Sequence, residues 1–273
     1  ANASTGVLIA AGKVASIDPA QYPGIGEYYD VFKAPPWLKA EGKQWGIPFG
    51  YGFARIVIDS NVIPNPPHSL ATLWDPRLKG KLAMNDDLET LYEAARLLGI
   101  KNVYDMTDEE LNLVRDKLIA LKPNIRKLWV ITSEWVDMFN QGEIAGGNVF
   151  EYAIAKLWKD GKTNLVDLRP AEGMGGYSDS WMVAKGSEAN PCVGEWLAYV
   201  TTAETQAAAA KATGIAFSNA KSFALLDADT QAFQEKLGIS DPEVLAHTDW
   251  WQPVKRRAKY LEIWNEVKAA SAP

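Results

Sequence analysis

The sequence predicts an α/β protein of two lobes, each a mixed, mostly parallel sheet with helices on both faces, joined by hinge strands that cross between them. Three observations predict it. Between residues 70 and 168, short apolar runs alternate with amphipathic segments, the pattern of a mostly parallel two-faced sheet. The stretches Gly46–Ser60 and Tyr177–Ala184 read as strands that change character partway, as a crossover would. The length of 273 residues exceeds one small core and suits two. The expected lobes are residues 1–53 with 181–238, the first incomplete at its start, and 54–180 with 239–273.

Gly46–Ser60 is the organising stretch. Phe49, Tyr51 and Phe53 recur every second residue and share a face, with Gly50 and Gly52 on the other, where a backbone or a ligand can approach closely. After Arg55 the run Ile56-Val57-Ile58 suits a strand buried on both sides. The same text also fits a core strand with ordinary aromatics.

In chain order, Asn2–Gly6 is a small polar turn in which Ser4 or Thr5 caps a helix that Gly12 ends. Such a helix start offers N–H groups to an anion, or is simply a cap. Residues 13–45 are loop-rich and pinned by Trp37 and Trp45. A strand at Lys81–Met84 runs into Asn85, Asp86 and Asp87, which open a helix over Leu88–Leu98. These carboxylates complement the helix dipole and also stand where open α/β sheets place ligands. Thr107 and Glu110 form a capping box ahead of the stripe Leu111, Val114, Leu118, Leu121. Strands follow at Lys127–Ile131, Glu143–Val149 and Asn164–Leu168, and helices at Glu134–Asn140, capped by Ser133, and at Phe150–Asp160. Tyr177, Asp179 and Trp181 share one face of the return strand. Carboxylate and rings together suit an ammonium group, and a structural hydrogen-bonding Asp competes with that reading. Helices then span Asn190–Val200, Ala203–Ala212 behind Thr202, and Ala228–Leu237. A last one carries Tyr260, Leu261, Trp264 and Val267 on its apolar side.

Hydrophobic content of 47%, charged content of 23% and a net charge of −6 describe a globular chain with no footprint for nucleic acid or an anionic membrane. Eleven Trp give ample rings for a core and for a cleft that takes amines. Cys192 stands alone, so it forms no internal disulfide, and reads as a small buried helix residue. His68 reads as exposed. His68 and His247 are far apart, and the chain shows no nucleophile elbow, Walker loop or metal-type cluster, so neither an enzyme nor a cofactor is expected.

Four ordered segments carry a family resemblance: GIPFGYGFARIVIDSNVIP, TLWDPRLKGKLAMNDD, GYSDSWMVAKGSEANPCVGEWLAYVTTAETQAAAA and TGIAFSNAKS. With them, nearly the whole chain resembles the periplasmic substrate-binding proteins of polyamine-type (spermidine/putrescine-like) ABC importers. The resemblance implies a type II periplasmic binding fold, closing on a small cationic or zwitterionic ligand in the interlobe cleft and delivering it unchanged to a membrane permease. It implies a mature periplasmic chain. It also implies a strand–helix–strand unit ahead of Ala1, which is truncated here or supplied by a separate chain or segment. Carried across by position, Ser4 and Gln252 match polar ligand contacts. Asp86 or Asp87 matches amine-binding carboxylates, Asp179 the carboxylate that pairs an ammonium, and Tyr177 an aromatic wall. Where the family often has Trp, this chain reads NVFE, and Glu151 there favours a cation. Phe49 and Tyr51 complete the aromatic set, and Arg55 could meet a ligand carboxylate, leaving a polyamine, an amino acid or another amine open. A ferric or other metal-binding protein of the same fold, and an enzyme with an unrecognised site, are the alternatives.

Overall fold

Ile47–Asp59 forms one uninterrupted strand of 13 residues. In a computed structural model, which describes residues 1–271, this strand belongs to both compact units of the chain. The first unit holds residues 1–52 and 176–253, the second 53–175 and 254–273. The chain thus passes between units at Gly52–Phe53, at Gly175–Gly176 and again at Pro253–Val254.

Residues 239–253 were expected in the second unit and lie in the first. The reason is a set of contacts to residues distant in sequence. The Tyr51 hydroxyl donates to Ile239 O at 3.0 Å. Trp250 packs against Phe32, Trp37 and Tyr51 at ring separations of 5.0, 5.7 and 6.0 Å. Trp251 N donates to Gly176 O at 2.8 Å.

In the first unit, the return strand Gly175–Trp181 has Asp249–Trp250 on one side and the long strand on the other. The outer edge of the long strand pairs with Ala216–Phe217, Tyr51 opposite Ala216 and Gly50 opposite Phe217. Thr202 and Gly214 bound the helix Ala203–Thr213 as expected, the hydroxyl accepting from Thr205 N and the glycine taking φ 74°. The first helix, Asn2–Ala10, begins before the expected cap. Thr5 is buried inside it, and its single hydroxyl proton is shared between Asn2 O at 2.9 Å and Trp37 O at 2.8 Å, so it ties the helix to the chain beneath instead of capping it. Cys192 is exposed rather than buried, because the helix Pro191–Val200 turns Leu197 and Val200 inward and its first turn outward.

In the second unit the latter half of the long strand pairs antiparallel with Gly146–Phe150, from Ala54 opposite Phe150 to Ile58 opposite Gly146. Its other edge pairs antiparallel with Leu165–Asp167. Leu82–Asn85 runs parallel to both Gly146–Phe150 and Ile125–Trp129. Ile56, Val57 and Ile58 are all buried, as a strand covered on both faces requires. The Thr107–Glu110 capping box forms in full, and Leu111, Val114, Leu118 and Leu121 all face the core. The helix Thr132–Asn140 starts one residue before Ser133 and receives no side-chain cap. In the last helix, Arg257–Ala269, Ile263 takes the inward place expected of Leu261, which is exposed. His68 is exposed as expected, and its Nδ1 meets Leu168 O.

Gly147 is needed where it stands. Its φ is +134°, and a Cβ there would lie 1.9 Å from Ala83 O in the adjoining parallel strand. Because that neighbour is backbone, it cannot yield without breaking the pairing. Gly147→Ala is expected to destabilise the second unit by roughly 3 kcal/mol, read as a lowered urea midpoint at an unchanged slope.

Candidate functional site

The residues expected to meet a ligand divide between the units, and each half is built by its own contacts. In the first unit, Asn2 is the assembling residue. It is fully buried, its Nδ2 donates to Trp251 O at 2.6 Å, and its Oδ1 accepts from Ser178 N at 3.2 Å. One side chain thereby joins the start of the first helix, the return strand and the Trp250–Gln252 segment. Ser4, Tyr177, Asp179 and Gln252 all lie within two residues of these three anchors. Ser4, Asp179 and Gln252 are exposed, whereas Tyr177 is buried with its ring 5.9 Å from that of Trp251. Sequence reasoning passed over Asn2 because it reads as a turn residue.

Asp179 is the open carboxylate of this half. Its side chain is 55% exposed, and the nitrogen of Ala1 stands 3.2 Å from Oδ1. On the same face, Trp181 lies 5.3 Å from Trp196, and Trp196 lies 5.9 Å from Tyr199. Half-buried Phe49 joins this cluster, 5.8 Å from Trp181 and 4.8 Å from Phe217. Tyr51 does not. Its ring is fully buried, and its hydroxyl is committed to Ile239 O, so it supports the fold rather than a ligand.

In the second unit, Arg55 and Glu151 are likewise buried completely. Arg55 Nη1 donates to Asp167 Oδ2 at 3.2 Å, and its guanidinium lies 4.6 Å from the centre of the Phe53 ring. Burial pulls the Arg55 pKa down, and the Asp167 and Glu151 carboxylates oppose that shift. Glu151 accepts from Phe53 N at 3.0 Å. Both charges are engaged inside the unit, which leaves no role for Arg55 as a surface partner of a ligand carboxylate. Nor does Glu151 offer an open carboxylate to a cation. Asp86 is partly exposed and accepts from Trp264 Nε1 at 2.7 Å and Lys268 Nζ at 3.1 Å. Asp87 is exposed and takes Leu88 N at 2.6 Å, but the helix that follows, Glu89–Leu97, has no side-chain cap, so the capping role weighed from the sequence is not made.

A buried network backs this loop. Asn85 N donates to Asn148 Oδ1 at 2.6 Å, and Asn148 Nδ2 donates to Thr90 Oγ1 at 3.2 Å and Glu93 Oε1 at 3.0 Å. Thr90 Oγ1 donates to Asn85 O at 2.8 Å, and Glu89 pairs with Arg96 at 3.0 Å. The Glu93 carboxyl is held well above the ordinary 4.5, chiefly because burial disfavours its charge and also because Glu89 repels it. Among the described residues, no group of three or more His, Cys, Asp or Glu is placed to hold a metal ion.

A family model for bacterial extracellular solute-binding proteins matches residues 1–256. The chain belongs to that family. Solved structures similar to this solute-binding protein agree in fold. One is the spermidine/putrescine ABC transporter substrate-binding protein of Streptococcus pneumoniae, at 19% identity and a TM-score of 0.83, covering 98% of this chain and 81% of that one. A second is MotA of A. tumefaciens in complex with glucopine, at 19% identity and TM-score 0.73, covering 98% and 81%. A third, named Atu4243-GABA receptor, has 19% identity and TM-score 0.72, covering 99% and 79%.

Two predictions follow from the buried charges of this solute-binding protein. Arg55→Ala removes the buried partner of the Asp167 carboxylate, whose side chain is 5% exposed and keeps only Arg169, at 3.5 Å, among the described residues, and is expected to cost about 3 kcal/mol in denaturant unfolding. Glu93 gives a pH signature. Its folded pKa is raised, so the native state keeps a proton that the unfolded chain loses as pH climbs past 4.5. Stability is therefore greatest below that value and falls as pH rises toward the raised pKa. Glu93→Gln stays neutral and still accepts from Asn148, so it should flatten the fall. Urea midpoints of variant and parent should diverge in favour of the variant as pH rises above 4.5 toward the raised pKa.

Proposed function

We propose that the chain binds a small amine-bearing metabolite, a polyamine or an amino-acid-like molecule, and hands it unchanged to the membrane permease of an ABC importer in the periplasm. The observation that carries this reading is Asp179, a carboxylate whose side chain is 55% exposed on the return strand, on the same face as Tyr177 and Trp181. Tyr177 and Trp251 on one side, and Trp181 on the other, supply the rings that attract an ammonium group once water is displaced. The polar groups of Ser4 and Gln252 fix the rest of the ligand. The names of the similar structures, which speak of spermidine/putrescine, glucopine and GABA, fit this chemical range.

The first unit is completed, on this reading, by a strand–helix–strand segment carried by a separate chain or by further sequence. Its similarity to the Streptococcus pneumoniae protein leaves about a fifth of that chain unmatched, since 81% is covered.

Calorimetric titration with spermidine, putrescine and γ-aminobutyrate tests the assignment. Saturable binding of at least one is expected, and no heat with any of them would sink the ligand class. Asp179→Asn removes a charge-assisted hydrogen bond and should weaken the bound amine about ten- to hundredfold with the melting temperature unchanged. Equal affinity in that variant would take Asp179 out of the site.

A further inference from the structure

In the second unit, the carboxylate of Asp86 is held in place for an ammonium group, and the chain supplies that group itself. Asp86 follows the strand Leu82–Asn85, at the carboxyl end of its parallel pairing with Ile125–Trp129, where open α/β sheets place ligands. Its backbone is fixed, because its N–H donates to Trp129 O at 2.9 Å. Its side chain is fixed from the last helix, where Trp264 Nε1 donates to Oδ1 at 2.7 Å and Trp264 is buried. Most exposed ion pairs are weak because both side chains must give up their freedom to meet. Here the carboxylate has already given it up.

Lys268 stands one turn further along the same helix. Its ammonium lies 3.1 Å from the same Oδ1 and 5.7 Å from the centre of the Trp264 ring. A carboxylate and an indole on one ammonium are the contacts that recognise a free amine. The backbone of Lys268 is anchored too, since Lys122 Nζ donates to Val267 O at 2.9 Å and to Lys268 O at 2.8 Å. The Lys268 and Asp86 side chains remain 35% and 28% exposed, so a solute can reach the pair.

We infer that Asp86 and Trp264 form an ammonium subsite that the chain closes with its own Lys268, an internal amine with which any free amine must compete. Tethering gives Lys268 the advantage of a high effective concentration. The exchange is one ion pair for another, with no covalent change. The subsite lies wholly in the second unit and does not rest on the amine site proposed at Asp179.

Removing the internal amine tests this. Lys268→Ala vacates the space of a four-carbon stem and its ammonium, which n-butylammonium copies. The readout is the NMR signal of the Trp264 indole N–H, identified by its absence in Trp264→Phe. In Lys268→Ala this signal is expected to shift saturably with n-butylammonium chloride, with half-saturation on the order of 10 mM. The parent and Lys268→Arg, which keeps a cation, should need about tenfold more. Neutral n-butanol should not saturate, nor should n-butylammonium when Asp86→Asn is added to Lys268→Ala. Lys268→Met keeps the stem and should respond in the same way to the smaller methylammonium. Asp179→Asn added to Lys268→Ala should leave the response unchanged. The proposal is overturned if neither Lys268→Ala nor Lys268→Met saturates with its amine, if the parent responds at the same concentration, if n-butanol acts alike, or if Asp86→Asn makes no difference.

Discussion

The structure depends on what happens at Phe53, where the long strand enters the second unit. Its N–H is taken by the buried Glu151 carboxylate. Two residues on, Arg55 is buried beside the carboxylate of Asp167 and above the Phe53 ring. Ions this deep survive only when paired and hydrogen-bonded, because desolvation costs several kcal/mol per charge. The pairing also fixes register. Asp167 lies opposite Val57 on the neighbouring strand, and a slip by one residue would turn Arg55 and its partner to opposite faces. A strand that must serve two units needs such an anchor, since its aromatic first half and aliphatic second half each satisfy a different core.

The same economy governs the functional groups. Charges that look alike in sequence separate into two populations once burial is known. Arg55, Glu151 and Glu93 are interior and hold backbone or side chains in place. Asp179 and Asp87 are exposed, and Asp86 is partly so. Asn2 does for the first unit what Glu151 does for the second: it converts three separate stretches of chain into one surface on which Asp179 stands open.

Much of this was legible in the sequence. The capping box at Thr107, the left-handed glycines at the helix ends and the doubly buried Ile56–Ile58 run all obey local rules with few competitors. The alternation over residues 70–168 fixed the sheet class for the same reason. What was not legible depended on distant partners. Nothing near Arg55 in sequence reveals Asp167, and nothing near Ser4 shows that the helix already begins at Asn2. The 239–253 segment was assigned to the other lobe because its attachment runs through Tyr51 and Gly176, far away along the chain. For Cys192 the helix was expected, but its phase decided exposure, and the burial of Leu197 and Val200 set that phase.

That exposed Cys192 has a practical meaning. It is the sole thiol of the chain and sits in the first turn of the helix Pro191–Val200, four residues before Trp196. A maleimide dye or spin label would therefore attach at one known point without any engineering, next to an indole able to quench it. An oxidised sample, conversely, could join two copies through a single sulfur–sulfur bridge, so a reductant belongs in any solution used to count molecules.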